Sequence, residues 1–172
     1  MRKAQFTHHS PWTRNVGKFF SYAEAWTRIR RAQEEGFFLE AVTLEEAVIS
    51  DRLFGYLVAF RVIPAVTESH AFPSFNALIQ HWRKQNPTPI PTAKTSDLQT
   101  AVDEWRKERN RVVHGMVKSN PGHPTEPIED FLAKAKVIAS EGATLARSVA
   151  KWCDKARRSL SRIPINEDAD RA

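Results

Sequence analysis

The stretch TLEEAVISDRLFGYLVAFRVI, residues 43–63, decides the fold. Thr43 followed three residues later by Glu46 is the pattern of a helix-opening capping box, and beyond it apolar residues recur nearly all the way round a helical period. A helix without a polar face must be covered on every side. Residues 43–63 are therefore read as the central, most buried helix, ended by Pro64, which disfavours helical backbone just before it. Asp51 and Arg52 are charged positions inside this run and need partners. Ion pairs with a neighbouring helix account for them; a sharper reading has Arg52 lining an anion site.

The covering helices follow outward from that core. Tyr22, Ala25, Trp26, Ile29 and Ala32, with Gly36 as a stop, predict an amphipathic helix over about Ser21–Glu35. Its other face carries Arg28, Arg30 and Arg31, read as a solvated face. Phe75, Leu78, Ile79 and Trp82 predict a short helix from Ser74 to about Gln85. Asn86-Pro-Thr-Pro-Ile-Pro91 then makes a stiff, extended connector. Ser96-Asp-Leu-Gln99 is a second capping box and opens a helix to about His114, with Gly115 near its end. Ser119 to Pro124 reads as a loop, and Thr125 with Pro127 opens a last long helix reaching about Leu160. Phe131, Leu132, Ala135, Ile138, Ala139, Leu145, Val149 and Trp152 keep its period. No stretch alternates as a strand does, so the expected fold is all-α, an up-and-down bundle of about five helices. The expected organisation is an N-terminal arm (1–18), a bundle domain (19–160) and a flexible C-terminal tail (161–172).

A chain of 172 residues suits one domain with a self-sufficient core. Its 26 Lys and Arg against 20 Asp and Glu give a formal charge of +6, which favours a polyanionic partner such as nucleic acid. A single cysteine, Cys153, excludes an intramolecular disulfide and a cysteine-based zinc site. No secretory leader and no apolar run long enough to span a bilayer are present, so a cytoplasmic setting without membrane contact is expected. The adjacent His8 and His9 have no third ligand near them, and no metal or cofactor is expected.

Function is sought in Glu108-Arg-Asn-Arg-Val-Val-His114-Gly-Met116, near the end of the fourth predicted helix. At about 100° per residue, Leu98, Ala101, Val102, Trp105, Val112, Val113 and Met116 form an apolar stripe, and Arg109 falls in its middle. A permanently charged guanidinium there is costly unless it is paired or meets an anion. Asp103, Lys107, Asn110 and His114 fall together on the flank, Asn110 and His114 one turn apart. Beside an RNA phosphodiester, an imidazole such as His114 can take the 2'-hydroxyl proton or protonate the departing 5'-oxygen, a contribution of about 10²–10⁴ in rate. Arg109 suits the extra negative charge on a pentacoordinate phosphorus, and Asn110 can orient the imidazole or the phosphate. Arg106, Lys107 and Arg111, with Arg52, are candidates to hold the RNA backbone; ordinary solvated charges explain them equally well.

Arg109-Asn110-x-x-x-His114 resembles the signature of the HEPN superfamily: an arginine, four to six residues, then a histidine, often with a polar residue after the arginine. The location on the helix before the last of a four- or five-helix bundle is similar too. The resemblance implies a metal-independent endoribonuclease that leaves 2',3'-cyclic phosphate and 5'-hydroxyl ends. It also implies a homodimer whose two motif helices face each other across a basic cleft, each His114 being joined by an arginine of the other subunit. A setting as a toxin or phage-defence effector follows, with a cognate antitoxin or regulatory protein as a possible partner. One branch of the family is controlled by modification of a tyrosine two residues after the histidine, a position occupied here by Met116.

Two other readings stay open. A non-catalytic HEPN-like module would use the same groove to bind RNA, a nucleotide or a protein partner. A plain helical interaction protein would simply pair Arg109 with an acidic residue, Asp51 among the choices. Trp105 and Trp152 are aromatic residues on apolar stripes, and core packing accounts for them better than base stacking does.

Overall fold

Apolar residues all round the second helix require neighbours on every side, and the fold supplies them. A computed structural model of the chain describes residues 16–65, 71–115 and 126–160. They form five helices, α1 (Val16–Glu35), α2 (Phe38–Ala59), α3 (Phe75–Gln85), α4 (Leu98–Gly115) and α5 (Ile128–Leu160), and no strand. The protein is thus an all-α bundle. His8 and His9, Met116, the Ser119–Pro124 loop and the tail from 161 lie outside the described residues.

α2 packs chiefly on α5, α1 leans on α2, α4 covers α5, and α3 bridges α2 and α4. Leu53 and Leu57 of α2 are fully buried between these layers. Tyr22 reaches Asp51 and Gln33 reaches Glu45, so α1 and α2 run antiparallel. Tyr56 stacks on Trp152 and Arg52 meets Asp154, ten or so residues beyond the level where Glu45 approaches Gly142, so α2 and α5 run parallel. Phe75 against Trp105 and Trp82 against Gln99 set α3 antiparallel to α4. The up-and-down alternation therefore has one exception, between α2 and α3. The connection over 60–74 is long enough to carry the chain back along α2, since fifteen extended residues reach about 50 Å.

Helix ends differ from the sequence reading in instructive ways. α1 begins at Val16 rather than near Ser21, and its first turns are tied to α2 by Lys18 and Tyr22, both bonded to Asp51. It stops as expected: Gly36 has φ 83° and Phe37 N–H donates to Ala32 C=O at 2.7 Å, a Schellman-type cap that suits glycine. α2 begins at Phe38, so Thr43 is not a cap; its hydroxyl donates to Leu39 C=O inside the helix. Burial of Ala41 and Val42 extends the helix through the cap signal. It ends at Ala59, before Pro64, in a second Schellman turn: Val62 N–H donates to Leu57 C=O, Arg61 N–H to Val58 C=O, and Arg61 takes φ 56°.

Ser74, read as the first residue of the short helix, stands just before α3 as its cap and accepts from Ala77 N–H. At α4 the cap is Asp97, not Ser96. Its carboxylate accepts from the backbone N–H groups of Gln99 and Thr100, from Thr100 Oγ1 and, across the proline connector, from Ile90 N–H. Burial opposes the charge, but these donors outweigh it and hold the carboxyl below its usual range. Leu98 N–H also donates to Ile90 C=O at 2.8 Å, which fastens the stiff connector to the helix start.

Candidate functional site

The Asp97 clasp fixes one end of α4, and Trp105 fixes its middle. The Trp105 ring is buried, its indole N–H donates to Ile138 C=O at 2.9 Å, and Gly142 of α5 lets it approach. A Cβ on Gly142 would stand 2.6 Å from the ring. Trp152 is half-buried between Tyr56 and Trp82, so both tryptophans serve the core.

Of the predicted stripe, Leu98, Val102, Trp105 and Val112 are buried and Ala101 and Val113 half-buried. Arg109 lies among them, its side chain 18% exposed. Nη2 stands 2.6 Å from Oε2 of Glu46 on α2, and Nη1 donates to Asn110 Oδ1 at 2.9 Å. The ion pair is close but poorly aligned: Glu46 Oε2 accepts no well-directed hydrogen bond, and the buried Arg109 Nε has no hydrogen-bond partner among the described residues. One turn beyond Asn110, His114 is exposed in the last turn of α4. The tip thus brings together a half-buried guanidinium, an amide that orients it and an open imidazole.

The candidate backbone-holding residues are occupied. Asp103 is buried and gathers three cations: Arg106 at 2.9 Å, Lys107 at 3.0 Å and Arg83 at 3.7 Å. Burial pushes its carboxyl up, while Lys107 and Arg106 more than reverse this and hold it below the usual carboxylate range. Arg111 is exposed and pairs with Glu108. Arg52 is not at this site. It pairs with Asp154 at 3.0 Å and lies over the Tyr22 ring at 4.1 Å, six residues beyond Glu46 and about 240° around α2.

Two carboxylates escaped the sequence reading. Glu46, taken there as a capping-box residue, is the partner of Arg109. Glu45 beside it is fully buried, accepts from Gln33 Nε2 at 2.9 Å and touches the Gly142 backbone region. Burial, only partly offset by Gln33 and Arg147, pushes its carboxyl up to about 8. Acidic residues inside the most apolar stretch of the chain were the available signal for both. Cys153 is buried and its thiol is pushed up to about 12, mainly by burial, which leaves it no nucleophilic thiolate at neutral pH.

Among the described residues no group of three or more His, Cys, Asp or Glu side chains could hold a metal ion, and no helix is long and apolar enough to cross a membrane. No family model matches the chain, and neither a curated protein nor a solved structure is significantly similar to it.

Proposed function

We propose that the protein is a metal-independent endoribonuclease of HEPN type, with Arg109 and His114 catalytic and Asn110 orienting. The 2'-hydroxyl oxygen attacks the adjacent phosphorus and the bond from phosphorus to the 5'-oxygen breaks. The 2'-proton leaves to a base, the 5'-oxygen receives a proton, and the ends are a 2',3'-cyclic phosphate and a 5'-hydroxyl. His114 serves as base or acid, and Arg109 neutralises the charge that builds on the equatorial oxygens. The observation that carries this reading is the Arg109–Asn110 bond, set one turn before an exposed His114.

Arg109 must exchange Glu46 for phosphate in this scheme, and the poor alignment of that pair and the unused Nε favour the exchange. Two copies facing across their α4 tips would complete the centre with a second imidazole. Ile128 and Leu132, exposed on the adjoining first turns of α5, offer apolar surface for such a contact. A cytoplasmic toxin or phage-defence effector, with a neutralising or regulatory protein, is the setting that goes with this chemistry.

The Arg109–Glu46 contact at 2.6 Å also favours a second reading, a plain helical interaction protein in which the pair is structural. The two separate by incubating RNA with the purified protein in excess EDTA, beside His114→Ala and Arg109→Ala. Cleavage by the native protein, reduced at least 100-fold in both variants and leaving cyclic phosphate ends, is the expected result. RNA left intact by all three proteins would reject the nuclease.

A further inference from the structure

Ten cations of the described residues stand in an ion pair: Lys18, Arg28, Arg31, Arg52, Arg83, Arg106, Lys107, Arg109, Arg111 and Lys134. Of the cations without an ion pair among the described residues, four are gathered in one groove, which Arg30, Arg61, Lys84, Lys136 and Arg157 do not line. Lys94, Arg147, Lys151 and Lys155 are all exposed, none makes an ion pair among the described residues, and all four line one groove. The groove, about 430 Å³, runs between α5 and the Pro91–Lys94 part of the proline connector.

Arg147, Lys151 and Lys155 are successive i, i+4 positions on α5, so their heads form a row that rises about 6 Å per step. The hydroxyls of Thr144 and Ser148 and a half-buried edge of Trp152 line the same channel. Arg147 is held in place over the Trp26 ring at 5.1 Å. Like charges in a row repel one another and are retained at a cost unless something anionic runs along them. The channel shares Thr92, Lys94, Thr144 and Ser148 with a neighbouring groove whose lining adds Glu104 and Glu141 beside Lys136, so the row of cations without carboxylates is confined to the side of Lys151 and Lys155.

We propose that this groove binds the backbone of a single-stranded nucleic acid, with Lys94, Arg147, Lys151 and Lys155 facing consecutive phosphates. A row of cations in a narrow channel with a partly apolar wall matches a flexible single strand better than the broad face of a duplex. The groove lies toward the C-terminal part of α5, whereas α4 runs antiparallel and carries His114 to the opposite end of the bundle. It is therefore separate from the Arg109–His114 tip, and the proposal does not rest on cleavage there.

The test is the salt dependence of binding to a fluorescent oligodeoxythymidylate, which lacks the 2'-hydroxyl that cleavage needs, for the full chain and a Lys94→Glu/Lys151→Glu/Lys155→Glu variant. Arg147 is left alone because it packs on Trp26. The variant should bind at least tenfold more weakly, and the slope of log K against log salt should become shallower by about 2, at about 0.7 per phosphate lost. The Lys→Gln triple variant should show the same slope change, with unchanged circular dichroism. Binding to a strand without 2'-hydroxyls does not depend on cleavage, which separates this site from the proposed nuclease. An Arg28→Glu/Arg30→Glu/Arg31→Glu control on α1 makes the same charge change elsewhere. Equal weakening by that control, an unaltered slope in the groove variants, or failure of the native protein to bind the oligonucleotide would each overturn the proposal. So would groove variants that lose binding only to anionic phospholipid vesicles.

Discussion

Asp97, at the start of α4, accepts hydrogen bonds from three backbone amides and a hydroxyl, whereas Arg109, about three turns later, keeps a buried N–H without a partner among the described residues. Between them Trp105 is locked against Ile138 and Gly142. The same helix is thus over-determined at its base and under-satisfied at its tip. Polar groups in a folded interior are normally paired; the donor left over at the tip shares its state with buried donors of Arg52 and Trp82, and differs from them in standing one turn before an exposed His114. The rigid base gives that tip a fixed direction.

Perturbing the tied half should be costly, and the largest effect expected is from Glu45, beside Gly142. Its carboxyl titrates near 8 in the folded protein and near 4.5 when unfolded, so the folded state favours the protonated form. The stability this confers is fully present below about pH 4.5 and is lost as pH rises through about 8. At 1.36 kcal/mol per unit the span amounts to roughly 5 kcal/mol, visible as a falling melting temperature between pH 5 and 8. Glu45→Gln should flatten that profile; an unchanged slope would place the titrating group elsewhere.

Gly142→Ala should cost about 3 kcal/mol in denaturant unfolding, because the new methyl group meets the buried Trp105 ring and α5 must shift. Loss under 1 kcal/mol would show that the base of α4 is less tightly held than the packing indicates. Asp97→Ala should cost about 2 kcal/mol, the upper range for a helix cap, since the connector bond to Ile90 is lost with it. Smallest should be Arg111→Ala at the exposed tip, within about 0.5 kcal/mol, as its bond to Glu108 is a surface pair. If Arg111→Ala matched Asp97→Ala, the contrast between the two ends would fail.

How much of this is legible without coordinates depends on whether a signal is local. The period of Leu98, Val102 and Trp105 sets the helix and the stripe, and the stripe alone flags Arg109 as a charge facing inward. The identity of its partner is not legible, because Glu46 comes from α2, more than sixty residues earlier, and carries a plausible local role in a capping pattern. The same competition misplaces the start of α2, where the hydrophobic burial of Ala41 and Val42 outweighs the cap signal of Thr43. The partners of Arg106, Lys107 and Arg111 are legible, since Asp103 and Glu108 stand three or four residues before them on the same helix; the approach of Arg83 to Asp103 from α3 is not. The row on α5 is hidden for the converse reason: only the fold shows that no carboxylate of another element forms an ion pair with Lys151 or Lys155 among the described residues.

The parallel pairing of α2 with α5 has a consequence in time. α1 and α2 are joined by two residues, Gly36 and Phe37, so their hairpin can close almost at once, while the contact of Arg52 with Asp154 spans 102 positions of chain. Loop closure over that distance is entropically the more expensive event, and it comes last. Until then Leu53 and Leu57 of the hairpin are uncovered, and a nascent or heat-shocked chain carries its stickiest surface on its earliest structure. The arrival of α5 is therefore the step at which aggregation and folding compete.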